Sequence, residues 1–310
     1  VNEPLRLVVI TGPTATGKTG VGIELARLIG GEVVSADSMM IYRRMDIGTA
    51  KPSVAEMQGV PHHLIDVVDP GEEFSVAAYQ AHAEQVIADI DQRGAVPLLV
   101  GGTGLYVRSV IDHYDFAAPS DIAFRAGLLE EARRNGVEKL HARLGEVDPA
   151  TSARLHVNDK RRIIRALEVH YLTGRPISAF QDRDEHSEAK YRLRMFGLNT
   201  DREVLYRRIE DRVDQMLDQG LVGEVAGLLA RGYTRNLVSM KGLGYKEIAA
   251  YLEGEISLDE AAALLKRNTR RFAKRQLTWF RRDQRICWID PRQYEGSMAV
   301  AEEITKLLKD

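Results

Sequence analysis

A short apolar run, Leu5 to Thr11, leads into Gly12-Pro13-Thr14-Ala15-Thr16-Gly17-Lys18-Thr19, and a helical pattern follows from Lys18 to Ile29. This is G-x-x-x-x-G-K-[ST] in the context that gives it a mechanism, with a strand before it and a helix after it. The glycines let successive backbone N–H groups turn toward one point, and the start of the helix adds the positive end of its dipole. Gly12, Thr14, Ala15, Thr16 and Gly17 therefore form a cradle for an anion. Lys18 neutralises phosphate charge, and the Thr19 hydroxyl can hold Mg²⁺. The ligand is expected to carry a di- or triphosphate. The motif does not decide whether phosphate is transferred or diphosphate leaves whole.

The next elements repeat the strand and helix alternation that builds a parallel sheet. Strands are predicted at Glu32 to Ala36, His63 to Val68 and Ala95 to Val100, with a helix from Ser75 to Gln92. From about Phe116 to Tyr191 the strand signal stops, and helical patterns follow at Asp121 to Arg134, Val137 to Leu144 and Asn158 to Leu172. A strand pattern resumes at Arg192 to Leu198. The expected fold is α/β, a P-loop NTPase-like parallel sheet flanked by helices, with an all-helical insertion domain. Residues 1–115 and 192–310 form the core, and 116–191 the insertion. Two capping-box spacings, Thr200 with Glu203 and Ser257 with Glu260, mark later helix starts. The second opens a pattern reaching about Asp283, roughly 40 Å if continuous at 1.5 Å per residue. A last strand, Ile286 to Asp290, and a terminal helix complete the reading, with no internal repeat.

Composition removes other classes. The 310 residues are 44% hydrophobic, enough for a full core. The longest stretch without a charged residue, Gly94 to Val107, is shorter than the ~20 apolar residues a membrane-spanning helix needs. The first residues carry Glu3 and Arg6 and form no apolar signal core. No membrane association and a cytoplasmic location are expected. A single cysteine, Cys287, excludes an internal disulfide and a thiolate zinc site.

Three loops bear on the chemistry. A nucleotide kinase or ATPase usually ends an apolar strand in an acid that helps hold Mg²⁺. Here the strand at Ala95 to Val100 ends in Gly101-Gly102-Thr103-Gly104. Asp37, in Ser35-Ala36-Asp37-Ser38, is the carboxylate nearest a strand end, and an ordinary turn or cap is the competing reading. Asp66 and Asp69 are candidates for Mg²⁺ contact or turn residues. Phosphoryl transfer and diphosphate displacement both stay open on these residues alone.

Taken together, seven segments in order resemble the bacterial tRNA dimethylallyltransferases, also called tRNA isopentenyltransferases. They are Gly12 to Thr19; Ser35 to Ser38, leading to Met45-Asp46-Ile47-Gly48-Thr49-Ala50-Lys51-Pro52; His62 to Asp66; Gly101 to Tyr106; Asn158-Asp159 through Arg165-Ala166-Leu167-Glu168; Gly244-Tyr245-Lys246-Glu247; and Ala273 to Phe280. The resemblance covers nearly the whole chain. It implies transfer of a dimethylallyl group from dimethylallyl diphosphate to N6 of the adenosine at position 37 of tRNA. An exocyclic adenine amine is a weak nucleophile, so a carboxylate accepting its hydrogen helps at the moment of attack. Asp37 occupies the family's catalytic aspartate position. Lys18, the loop amides and Mg²⁺ on Thr19 would stabilise charge on the departing diphosphate. Thr103 matches the family threonine near the scissile oxygen, with a hydrogen-bonding role. Arg212 matches an arginine that reaches the diphosphate; without the family it reads as a solvated helix charge. For RNA, the resemblance points to Ser38, Met39 and Met40 beside Asp37, to Arg125, and to the turn of Lys241, Gly242, Gly244 and Tyr245. Many members carry a polar Arg-Gln or Met-Gln pair where Met39-Met40 stand, and Arg44 replaces a frequent glycine.

The formal charge is −2, from 43 basic and 45 acidic residues, which by itself argues against a polyanionic partner. Its distribution argues the reverse. Between Leu265 and Arg285 nine residues are basic, Lys274 and Arg275 among them, and only Asp283 is acidic. Phe272, Trp279 and Phe280 interleave with these cations as packing or base-stacking groups. Lys160, Arg161, Arg162 and Arg165 make a second basic patch on the insertion, with Ile163, Ile164 and Leu167 on its apolar side. Two basic helices are expected to grip a tRNA anticodon stem-loop. The expected partners are that stem-loop and dimethylallyl diphosphate, with the protein a monomer. Competing readings are a small-molecule or nucleotide kinase, an adenine-nucleotide prenyltransferase and a non-enzymatic RNA-binding module.

Overall fold

The computed structural model describes residues 4–112, 116, 120–180 and 190–309. Backbone contacts divide the chain into two compact units, Val1–Ile111 with Ala189–Asp310, and Asp112–Glu188. The first unit holds a six-stranded sheet in the order β3-β2-β4-β1-β5-β6. Its strands are β1 (Leu5–Thr11), β2 (Gly31–Ser35), β3 (His62–His63), β4 (Val96–Val100), β5 (Tyr191–Leu198) and β6 (Ile286–Ile289). Every pairing is parallel. A parallel sheet needs both faces covered, and Leu7, Val8, Val9 and Ile10 in β1 are accordingly fully buried.

In chain order the helices are α1 (Lys18–Ile29), α2 (Val76–Gln92) and α3 (Gly104–Ile111); in the insertion α4 (Ile122–Asn135), α5 (Val137–Val147), α6 (Pro149–Arg154) and α7 (Lys160–Thr173); then α8 (Arg202–Asp218), α9 (Leu221–Ala230), α10 (Tyr245–Leu252), α11 (Leu258–Phe280) and α12 (Gly296–Leu307). One sheet face packs on α2 and α3, where Tyr79, Ile87, Val107 and Val110 meet Leu7, Val9 and Leu99. The other packs on α1 and α12 through Val21, Leu25, Val300 and Ile304. A third cluster joins α8 to α11 with Ile41, Tyr42 and Met45 from the segment after β2. The insertion has its own core of Leu128, Leu140, Leu144, Ile163 and Leu167.

Several elements differ from the sequence expectation. The strand expected at His63 to Val68 is reduced to His62–His63, paired with Val33 and Val34 at the sheet edge. Leu64 and Asp66 adopt left-handed backbone, φ 61° and 56°, which ends the extended run. The helix expected to open at Thr200 is capped instead by Asp201, whose carboxylate accepts the Glu203 N–H at 2.9 Å. The Ser257 and Glu260 box forms reciprocally, but α11 stops at Phe280, three residues before the expected end. The helix α3 had no separate sequence signal, and β5 begins at Tyr191, within the stretch read as insertion. No described helix is long and apolar enough to cross a membrane.

Register places the loops. Ile10 pairs with Val100, and Val100 pairs with Ser35, so β1, β4 and β2 leave the sheet at one level. The Gly12–Thr19 loop, Asp37 and Thr103 therefore emerge side by side at the carboxyl edge, where open α/β sheets bind their ligands.

Candidate active site

The loop after β1 is a preformed nest. Gly12 has φ 132° and Gly17, the cap of α1, φ 89°, both in the region that favours glycine. A Cβ at Gly12 would stand 2.2 Å from the Leu198 carbonyl oxygen, so the close approach of the loop to the end of β5 also requires glycine. The Pro13 carbonyl accepts from Thr16 Oγ1 at 2.9 Å and from Lys18 Nζ at 2.6 Å. Burial, then the like charge of Arg212, pushes the Lys18 ammonium down to about 7, with Asp37 opposing. Ala15, Gly17, Lys18 and Thr19 line a cleft of about 980 Å³ whose opposite wall includes Arg208, Arg212 and Gln215 of α8. Thr14 faces elsewhere. Its N–H donates to Gln276 Oε1 at 2.9 Å, and the residue lines a second cleft.

That second cleft, about 320 Å³, brings together Asp37, Ser38, Met39, Thr103, Arg212, Lys241, Gly242, Tyr245 and Arg275. Asp37 Oδ1 accepts the Met39 N–H at 2.8 Å, which fixes the carboxylate. The Thr103 hydroxyl accepts the Ser38 N–H at 3.1 Å and lies 3.3 Å from Ser38 Oγ; the Thr103 N–H donates to the Ala36 carbonyl at 3.1 Å. The loops after β2 and β4 thus form one hydrogen-bonded unit. Beneath it the buried Tyr79 hydroxyl donates to the Ser35 carbonyl at 2.9 Å, and its ring stacks on Tyr106 with centroids 3.8 Å apart. Ile209, Val213, Met216, Leu265 and Phe272 supply an apolar wall.

Arg212 and Met216 line both clefts. Burial lowers the Arg212 guanidinium from its ordinary value and the nearby Asp37 charge opposes that shift. A solvated helix charge is therefore the wrong reading of Arg212. It stands half-buried at the junction of the two clefts.

Some residues singled out from sequence are placed elsewhere. Met40 does not line the cleft; its carbonyl accepts the Asp66 N–H at 3.1 Å. Tyr245 is fully buried and its hydroxyl donates to Glu224 at 2.7 Å, so it shapes the cleft wall. Gly244 caps α10, its N–H donating to Glu247 at 3.0 Å. Lys274 lies with Tyr206, Arg281 and Trp288 in a separate groove at the ends of β5 and β6, although Arg275 beside it faces Asp37. Of the three interleaved aromatics only Phe272 reaches the cleft; Phe280 is buried and Trp279 packs on the core. Asp66 accepts Lys51 Nζ at 2.6 Å, and Asp69 accepts from Gly71 N, Tyr233 Oη and Arg44, so both carboxylates serve the local fold.

In the insertion, the fully buried Glu168 accepts Arg125 Nε at 2.7 Å and Nη2 at 2.9 Å, Arg165 Nη1 at 2.6 Å and the Asp121 N–H at 2.7 Å. Burial pushes its carboxyl up, but the bonds from Arg125 and Arg165 outweigh that and hold it below the usual range. Arg161 is exposed, as is Arg162, which stands 3.3 Å from Asp159. On α11, Lys266 pairs with Asp214 and Arg270 with Glu210, whereas Arg267, Arg271, Lys274 and Arg275 are exposed.

Sequence reasoning missed two residues. Glu224 accepts the N–H groups of Asp46, Ile47 and Gly48 at 2.9, 2.8 and 3.1 Å and so shapes the loop that contributes Gly48 and Thr49 to the cleft. Nothing local in the sequence marks it. Gln276 lay inside the Ala273 to Phe280 segment but had no assigned role, and only its buried position on a basic helix could have drawn notice.

A family model described as IPP transferase matches residues 40–283. A tRNA dimethylallyltransferase of Desulforudis audaxviator is 62% identical over 301 residues, 97% of each chain. One of Pelotomaculum thermopropionicum is 52% identical over 98% of this chain and 97% of its own. Among solved structures, a full-length tRNA isopentenylpyrophosphate transferase from Bacillus halodurans matches with TM-score 0.71 and 44% identity, covering 98% of this chain and 97% of that one. A eukaryotic dimethylallyltransferase acting on tRNA matches with TM-score 0.79 and 29% identity over 92% of this chain and 74% of its own. By the extent of these matches, the chain belongs to the IPP transferase family.

Proposed function

We propose that the chain transfers a dimethylallyl group from dimethylallyl diphosphate to N6 of adenosine 37 in tRNA, releasing diphosphate. The observation that carries this reading is the position of Arg212, which lines both the cleft of Lys18 and Thr19 and the cleft of Asp37 and Thr103. A ligand whose diphosphate sits on the first loop would pass Arg212 to reach the second cleft with its allylic carbon. The amides of Gly12, Ala15, Thr16 and Gly17, the Lys18 ammonium and the Arg212 guanidinium then meet the charge that grows on the leaving group. Thr14 contributes its hydroxyl, since Gln276 takes its N–H. The Thr103 hydroxyl hydrogen-bonds the oxygen of the breaking bond. Asp37, with Oδ1 held by Met39, offers Oδ2 to the N6 hydrogen, and the apolar wall of Ile209, Val213, Met216 and Phe272 suits the five-carbon chain.

The donor set fits Mg²⁺. Among the described residues no three His, Cys, Asp or Glu side chains converge on a metal position. An ion that keeps several waters and binds through substrate phosphates needs few protein donors, and Thr19 lines the Lys18 cleft. When bound there, Mg²⁺ would neutralise diphosphate charge.

For tRNA we assign Ser38, Met39, Lys241, Gly242 and Arg275 around the cleft, with Met40, Gly244 and Tyr245 supporting its walls and Lys274 reaching RNA from the neighbouring groove. Arg125, Arg161, Arg162 and Arg165 serve on the insertion, the first and last anchored by Glu168. We further propose that the acting species is a monomer located in the cytoplasm. A kinase reading loses support because Asp66 and Asp69 are engaged by Lys51, Tyr233 and Arg44. The test is incubation with dimethylallyl diphosphate, Mg²⁺ and unmodified tRNA. Prenylated adenosine with equimolar diphosphate is expected; ATP consumption with a small acceptor and no prenylated tRNA would overturn the reading.

A further inference from the structure

Gln276 joins parts of the site that are far apart in sequence. Its side chain, 7% exposed, leaves α11 toward the sheet, while Arg275 and Phe272 on the same helix face the Asp37 cleft. Nε2 donates to the Gly102 carbonyl at 2.9 Å, and Oε1 accepts the Thr14 N–H at 2.9 Å. The partners fix the amide's orientation, because an N–H only donates and a carbonyl only accepts. A Cβ at Gly102 would stand 2.3 Å from Nε2, and one at Gly104 would stand 2.3 Å from Trp279 Nε1. The helix thus presses on both sides of Thr103, and the same glutamine holds the diphosphate loop.

We propose that Gln276 is a positioning residue that sets the spacing between the diphosphate loop and the Thr103 hydroxyl, acting through Thr14 and Gly102. It touches neither substrate. The inference rests on the transferase reading, in which the loop holds the diphosphate and Thr103 meets the oxygen of the breaking bond. A shift of about 1 Å in such a spacing can cost on the order of 100-fold in rate while leaving ground-state binding nearly intact. Leu and Met variants cannot reproduce the pair of bonds, and neither can an ionised Glu, which has no donor. A neutral carboxylic acid can, with one O–H donor and one carbonyl acceptor.

The experiment measures steady-state kinetics of the full-length protein and its Gln276→Met and Gln276→Glu variants with tRNA and dimethylallyl diphosphate, with circular dichroism at each pH to confirm the fold. Gln276→Met is expected to lower kcat by tenfold or more while both KM values stay within about threefold. Gln276→Glu is expected to gain a limb in its kcat profile, with activity rising as pH falls, absent from the unsubstituted protein and from Gln276→Met. Equal kcat in Gln276→Met, a loss confined to KM, or a Gln276→Glu profile parallel to that of the unsubstituted protein would each overturn the proposal. If Gln276→Met fails to fold, the Gln276→Glu profile, which keeps the bond to Thr14, decides alone. Failure of the unsubstituted protein to prenylate tRNA would instead overturn the transferase reading.

Discussion

Lys18 supplies a measurable signature of the diphosphate cleft. With its ammonium pushed down to about 7 by burial and by Arg212, the free protein holds the group largely neutral above that value. An arriving diphosphate supplies opposite charge and restores the ammonium, so binding takes up a proton. At about pH 8 the free group is ~0.9 neutral and at about pH 6 ~0.1, so uptake should approach one proton at the higher pH and nearly vanish at the lower. The same linkage weakens affinity about tenfold between those two values. Calorimetry of inorganic pyrophosphate with Mg²⁺, in two buffers of different ionisation enthalpy, counts these protons. Pyrophosphate itself titrates, and Lys18→Arg, which stays charged throughout, supplies the quantity to subtract. A difference of zero at about pH 8 would refute both the neutral Lys18 and its contact with the anion. The sign for stability is opposite to the usual lysine case: the unfolded chain binds more protons between about 7 and ~10.4, so this group's contribution to stability rises with pH across that window.

Other expectations follow from the same geometry. Asp37→Ala should lower kcat by about 10²- to 10⁴-fold with tRNA affinity within a few-fold, and an equal loss of binding and rate would remove Asp37 as the base. Neutralising Arg161 and Arg162 together should flatten the slope of log affinity for tRNA against log salt by about 1.5, whereas an unchanged slope excludes them from the RNA footprint. Glu168→Ala leaves two guanidinium groups without their shared carboxylate and should destabilise the insertion by about 3 kcal/mol in urea titration; a change under ~1 kcal/mol would mean that the pair is solvated in practice.

What was legible in the sequence was local. The nest at Gly12 to Thr19 depends on consecutive residues, so its strand and helix bounds agree with the structure. Ser75, Asp121 and Ser257 announce helix starts through their own side chains. What failed was decided at a distance. The run from His63 to Val68 has strand-like residues, yet Asp66 is turned into left-handed backbone beside Lys51, fifteen positions earlier. Arg125 reads as an ordinary helix arginine because Glu168, its bidentate partner, is 43 positions away. The charges of α11 read as one basic stripe, but Asp214 and Glu210 of α8 engage Lys266 and Arg270, and because successive residues of a helix point in different directions, Lys274 and Arg275 line different clefts.

The glycines of the site do not all serve the anion cradle. The chain before α3 contributes the anion cradle, Asp37 and Thr103; α8, α10 and α11 contribute Arg212, Met216, Tyr245, Phe272 and Arg275. At three glycines these later helices approach the earlier loops closely enough to exclude a Cβ. At Gly48 a Cβ would stand 2.6 Å from the Tyr245 ring, at Gly102 2.3 Å from Gln276, and at Gly104 2.3 Å from Trp279. Gly102 and Gly104 have negative φ and lie outside the left-handed set, so backbone conformation does not call for glycine there. Close approach does. Gly101-Gly102-Thr103-Gly104 is therefore a docking seat for α11 that leaves one hydroxyl displayed, and the carboxylate in the same cleft comes from Asp37 in the loop after the neighbouring strand β2.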